Sequence, residues 1–182
     1  MSFPVFASGD VLTASDMNAV GLWLVKTQTV GSNVASVTVT NAFSSTYDNY
    51  LITINGMLSS VAGAALYFQC VTSGGAANAA NWKGNSIYTN TGAGGALNNG
   101  FDNNTLSTAC ASIDDNPSSA QFNVNGPYLS QRTSLNYNST DSNYMRIGSS
   151  ILDNATSYTS FLIANNVGTI TGGTIRVYGY RN

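Results

Sequence analysis

Hydrophobic and polar residues alternate along most of this chain with the period of two that marks half-buried strands. Leu22 to Val30 is one such run. After Gly31, Ser32 and Asn33 a second runs from Val34 to Thr40, where Ala35, Val37 and Val39 alternate with Ser36, Thr38 and Thr40, so the pattern predicts a hairpin with one polar face. Asn41 to Asn49 reads as a polar connection. Tyr50 to Met57 places Tyr50, Ile52 and Ile54 on one side, and Ala64 to Thr72 is apolar almost throughout, as in a more central strand. Gly74 to Asn104, interrupted by glycine and asparagine, is expected to be loops around one short strand, with Trp82, Ile87 and Tyr88 as isolated apolar anchors. Further strands are predicted at Thr105 to Ser112, Ser119 to Val124, Tyr128 to Tyr137, Tyr144 to Leu152, Tyr158 to Ala164 and Gly173 to Arg181. The turn cluster Asp114, Asp115, Asn116 and Pro117 separates the first two.

Only Phe3 to Trp23 carries a helix signal. Thr13 is a suitable N-cap, Asp16 favours the positive helix end, Met17, Ala19 and Val20 form a small apolar side, and Gly21 is placed to end the helix. Two turns of helix cannot stand alone, so this segment either packs on the β-structure or docks elsewhere. The expected organisation is an N-terminal leader with a short helix over residues 1–24 and a β-sandwich over residues 25–182. About nine or ten short strands, with turn signals every dozen or so residues, suit an all-β antiparallel sandwich of the jelly-roll kind. No exact internal repeat points to a propeller or solenoid.

Composition sharpens the picture. Charged residues make up 8% of the chain and hydrophobic ones 43%, and neither Glu nor His occurs. Solubility then rests on Asn, Ser and Thr, a surface suited to neutral partners. A net charge of -2, with Lys26 and Lys83 the only lysines, offers no footprint for nucleic acid or anionic lipid. No apolar run approaches a membrane span, and the N-terminus lacks the pattern of a secretory signal, so synthesis in a cytoplasm is expected. Cys70 and Cys110 read as free buried thiols rather than a disulfide. The sequons at Asn103, Asn138 and Asn154 carry little weight without secretion.

Without histidine, Ser-His-Asp and Cys-His catalysis are excluded and no His/Cys metal set exists. Acid/base chemistry would fall to aspartates, of which Asp114 and Asp115 are the nearest to a pair, yet both sit in a turn where Asp serves the backbone. The oxygen-rich loops at Asp102 and Asp114 fall short of a calcium loop, and Gly92, Gly94 and Gly95 lack the lysine and helix of a phosphate cradle. The expectation is a protein that is not an enzyme and uses no cofactor or metal. Aromatic side chains among neutral polar ones suit sugar rings, which makes Trp82 and Tyr88 candidates for receptor or glycan contact. Arg176, Tyr178, Tyr180 and Arg181 are candidates for a subunit interface, where Arg and Tyr are enriched.

Three stretches carry a family likeness. The opening FASGDVLTASDMNAVG resembles the leader of many tailed-phage virion proteins, where a GxVLTAxxxN stretch precedes a fibre, spike or decoration domain. LWLVKTQTVGSNVASVTVTNAFSSTYDNYLITI and the closing ITGGTIRVYGYRN are similar to a β-rich module of phage structural proteins. The resemblance covers about a third of the chain, at its two ends. It implies a homotrimer of β-sandwiches on a virion, joined through the leader to other proteins of the head or tail, with host-surface glycans as a further class of partner. In that reading Phe3, Val5, Phe6, Val11, Leu12 and Met17 are the apolar attachment contacts, and Asp10 and Asp16 are turn and cap residues.

Overall fold

In a computed structural model of the chain, the residues described are 8–9, 11, 21–78, 81–90, 96–104 and 111–180, without the side chains of 90, 96–104 and 112. They contain thirteen strands and no helix. In chain order these are β1 (Leu22–Thr29), β2 (Ser36–Val39), β3 (Asn49–Ser59), β4 (Ala64–Val71), β5 (Trp82–Asn90), β6 (Ala96–Asn104) and β7 (Ala111–Ile113). They continue with β8 (Ser118–Asn125), β9 (Thr133–Thr140), β10 (Tyr144–Leu152), β11 (Ser160–Asn165), β12 (Ile170–Thr171) and β13 (Thr174–Tyr180). The leader helix predicted from the sequence falls almost wholly outside the described residues.

All pairings are antiparallel, and they make two sheets. The broad sheet runs β1-β13-β3-β8-β9-β10-β5-β6, with β12 also on β3; the narrow sheet runs β2-β11-β4-β7. The alternation seen in the sequence is what aims the two inner faces at each other. From the broad sheet come Tyr50, Ile52, Ile54, Phe122, Val124, Leu135, Ile175 and Val177, and from the narrow sheet Val39, Leu66, Phe68, Phe161 and Ile163, all buried in one core. Phe68 ties the layers together: its ring lies 5.2 Å from Phe161 within its own sheet, and 6.1 Å from Phe122 and 6.2 Å from Trp82 across the core. The architecture is β-sandwich-like.

Several boundaries differ from expectation. β1 and β2 are not a hairpin, because the Gly31-Ser32-Asn33 corner, with Asn33 at φ 58°, carries the chain from one sheet to the other. Val34 then bridges to Ile170 rather than back to β1. β1 begins at Leu22 and pairs with β13 along its length, so Leu22 to Leu24 belong to the sheet rather than to the leader. The largest correction is the glycine- and asparagine-rich middle. It holds two nine-residue strands, β5 and β6, paired to each other, where one short strand was expected. Cross-strand neighbours supply the order that local propensity withholds, since β5 is zipped along its whole length to β10.

The broad sheet therefore has two halves. β13, β3 and β8 supply most of the broad sheet's core residues, and two antiparallel pairs, β9 with β10 and β5 with β6, extend the sheet into a wing whose Leu135, Tyr137, Leu152 and Trp82 still join that core. Asp114, in the β7–β8 turn, fastens the wing. Its carboxylate accepts from Ser142 Oγ (2.7 Å), from Asn143 Nδ2 and from the Asp115 N–H (2.9 Å), which ties that turn to the β9–β10 turn.

Candidate functional site

The outward face of the broad sheet carries the exposed side chains of interest, and its register sorts them into rows. On β13 the inward residues Ile175 and Val177 leave Arg176, Tyr178 and Tyr180 facing out, half-buried. Tyr178 is paired with Leu24 on one side and Leu51 on the other, and Tyr180 with Leu22. Leu22 and Leu24 are 44% and 56% exposed, which makes this margin of the sheet apolar and aromatic. The sequence-predicted interface residues Arg176, Tyr178 and Tyr180 are thus brought together on one face, while Arg181 lies outside the described residues.

The middle of the face is built of amides. Asn49 stands opposite Asn125, Asn123 opposite Asn136, and Gln121 opposite Asn138. Tyr180 donates its hydroxyl to Asn123 Oδ1 at 2.8 Å, and Asn125 Nδ2 donates to Ser134 Oγ at 3.0 Å. Asn49, Asn123, Asn125, Asn136 and Tyr180 line an open depression of about 410 Å³.

The wing forms the other margin. Met145, Ile147 and Ile151 point outward from β10 and Ile87 from β5, with 56%, 62%, 45% and 48% of their surface exposed. Ile147 and Ile87 are direct cross-strand partners, so the apolar zone is continuous between the two strands. Beside it, Lys83 (3.0 Å) and Arg132 (2.6 Å) both contact the Asp153 carboxylate. The Lys83 hydrogen bond is the main cause holding that carboxyl below its ordinary range.

The two aromatic candidates from the middle segment part company. Trp82 is fully buried; its ring meets Phe68 edge to face and its Nε1 donates to Asn78 Oδ1 at 3.2 Å. A ring so placed offers no face to a ligand, because the even positions of β5 point into the sandwich, and this corrects the expectation that Trp82 contacts a glycan. Tyr88 is half-buried on the same inward side, near the far end of β5. The Arg146 guanidinium sits 4.6 Å from its ring centroid and Tyr144 meets it edge to face.

Asp114 and Asp115 are adjacent in sequence but differ in setting. Asp114 is 1% exposed with its carboxylate committed to Ser142, Asn143 and the Asp115 N–H, and the Ser142 hydrogen bond is the main cause lowering its pKa. Asp115 is exposed. They do not form two carboxylates facing each other across a cleft, the arrangement that glycoside hydrolysis uses. Cys70 is a free thiol in the core, pushed up by burial, and Cys110 lies outside the described residues. Among the described residues no cluster of His, Cys, Asp or Glu is placed to hold a metal ion, and no helix is long and apolar enough to cross a membrane.

Of the leader residues expected to make attachment contacts, Val11 alone is described, and it is 83% exposed. Phe3, Val5, Phe6, Asp10, Leu12, Asp16 and Met17 lie outside the described residues. The amide rows and the wing were missed by sequence reasoning, although alternate positions on neighbouring strands, asparagine in one and isoleucine in the other, are the signal that points to them once the register is known.

No protein family matches the chain, and a search of curated proteins finds no match to it.

Proposed function

We propose that this chain is a structural, non-enzymatic module of a tailed-phage virion surface, attached through its leader and assembled as a homotrimer. The observation that carries the reading is the succession of strands between sheets. Leaving aside the inserted pairs β5–β6 and β9–β10 and the short β12, the chain passes from β1 in the broad sheet to β2 in the narrow one, and on to β3 in the broad and β4 in the narrow. β7 then stays in the narrow sheet before β8 (broad), β11 (narrow) and β13 (broad) complete the course. We read the resulting orders β1-β13-β3-β8 and β2-β11-β4-β7 as an eight-stranded jelly roll, an architecture that viral capsid proteins use widely. Fold alone does not carry function. The second support is the leader, whose GDVLTASDMN stretch resembles that of phage virion proteins.

The two apolar margins of the broad sheet supply the assembly. A three-fold ring joins two different patches of each copy, head to tail, and a closed ring leaves neither patch exposed. Leu22, Leu24 and Tyr178 at one margin, and Ile87, Met145, Ile147 and Ile151 at the other, are such a pair of patches. Labelling the protein on intact particles tests the reading: label on the head identifies a decoration protein, label on the tail a short fibre, and no label on particles refutes the assignment. Deleting residues 2–20 is expected to leave a folded trimer that no longer joins particles, and an unfolded product would show that the leader serves the fold instead.

A further inference from the structure

We infer that the amide rows on the outer face of the broad sheet form a binding shelf for a neutral saccharide. The first row runs Leu22, Tyr180, Asn49, Asn125, Ser134, Ile151, and the second runs Leu24, Tyr178, Leu51, Asn123, Asn136, Ser149. Neither row holds a charged side chain between β1 and β10. Lys83 and Arg176 border the rows but do not enter them, so the shelf itself presents neutral groups and favours a neutral ligand over phosphate, sulfate or uronate polymers.

An asparagine amide presents one carbonyl acceptor and two N–H donors, a set that an alcohol hydroxyl, both donor and acceptor, can answer from either side. Asn123 gives its carbonyl to the Tyr180 hydroxyl and so keeps its NH₂ turned to partners; Asn125 spends its NH₂ on Ser134 and keeps its carbonyl. These internal bonds hold two of the amides in fixed orientations before any ligand arrives, which cuts the ordering cost of binding. The Asn49 and Asn136 amides make no hydrogen bond to a described residue, so both of their polar ends remain for a ligand. Amides lie about 5 Å apart across strands and about 7 Å apart along them, a spacing on the scale of hydroxyls around a sugar ring. Tyr180 borders the depression as a half-buried aromatic wall. An apolar protein partner would strip water from every amide without replacing its hydrogen bonds, whereas a polyol replaces them.

The shelf stands independently of the virion assignment, because its test uses the isolated full-length chain. Affinity electrophoresis through native gels containing dextran, laminarin, mannan or galactan, with heparin as the charged counter-probe, reads binding directly. At least one neutral polymer is expected to retard the protein, equally at low and high salt, with no retardation by heparin. Asn49→Ala/Asn136→Ala removes amides that hold nothing else in place, so the fold is expected to survive with an unchanged melting temperature while the dissociation constant rises about tenfold or more. Tyr180→Phe, which keeps the ring but releases Asn123, is expected to weaken binding about threefold. Retardation by none of the four neutral polymers, stronger retardation by heparin than by any of them, or full affinity in the folded double variant overturns the proposal.

Discussion

Asp114 and Tyr50 show how much single polar side chains carry in a chain so poor in charge. Asp114 is buried, and its carboxylate is the acceptor that joins the β7–β8 and β9–β10 turns. Asp114→Ala leaves the Asp115 N–H, Ser142 and Asn143 without that partner, and is expected to lower unfolding free energy by about 2–4 kcal/mol, measured by urea denaturation. The lowered pKa gives this contribution a pH signature. A carboxylate whose folded value lies below its unfolded value stabilises fully above the ordinary range near 4, and its contribution fades as pH falls through the folded value. Tyr50 accepts from the Ser44 N–H (2.8 Å) and donates to the Ser44 carbonyl (3.0 Å) while wholly buried, and burial raises its pKa, as it does for Tyr158 and Cys70. Groups with raised pKa stabilise fully below their unfolded values and lose the contribution as pH rises through the folded ones. With no histidine to titrate between these limits, stability is expected to be flat from about pH 5 to about pH 8, with an acid limb from Asp114 and an alkaline one from Cys70 and the tyrosines. A step in thermal unfolding temperature near pH 6.5 would contradict this account.

At the scale of the element, the wing depends on glycine where strands crowd. A Cβ at Gly148, in the centre of β10, would press on the Tyr137 hydroxyl and the Asn85 carbonyl, and one at Gly84 would press on the backbone of Ser149 and Ser150. Gly148→Ala is therefore expected to cost about 1–3 kcal/mol. Hydrogen exchange should locate the damage, with faster exchange in β5, β9 and β10 and little change in β3, β13 and β11. Equal acceleration everywhere would mean that the wing and the sandwich unfold as one unit. These glycines also explain what the sequence conceals. Strands such as Tyr50 to Met57 and Ala64 to Thr72 are legible because apolar side chains entering one core impose a period of two, and the inward set Tyr50, Ile52 and Ile54 follows from it directly. The segment from Trp82 to Asn104 lacks that pattern: glycine, serine and asparagine fill its positions, and its strands are ordered by pairing, β5 with β10, more than fifty residues further on, and β6 with β5. The same non-local pairing hid the site. Nothing near Asn123 in sequence reveals that Asn136 will be its neighbour, and Trp82, conspicuous as a lone aromatic among glycines, is conspicuous because it fills the core there.

At the scale of the whole molecule, the outward face of the broad sheet is divided into an aromatic margin, a neutral amide centre and an apolar wing, and under the proposed function the outer two serve assembly and the centre recognition. The wing residues Met145, Ile147, Ile151 and Ile87 contribute little to the monomer, being about half exposed, so changing them tests association without emptying the core. If copies join through this zone, Ile147→Asp buries a carboxylate in an apolar contact with no cation in its row nearer than Arg176 on β13. The penalty of about 3 kcal/mol or more raises the dissociation constant of the assembly at least a hundredfold. Sedimentation velocity at micromolar concentration should then show a trimer for the natural chain and a monomer for the variant, with unchanged melting of the dilute monomer. Leu24→Asp, at the opposite margin, should act the same way, because a head-to-tail ring needs both patches while a two-fold contact through the wing alone does not. A variant pair in which only Ile147→Asp dissociates the assembly would replace the three-fold ring by a two-fold dimer. Saccharide binding at the amide rows should persist in Ile147→Asp, because Ile147 is paired with Asn138 and lies in neither row.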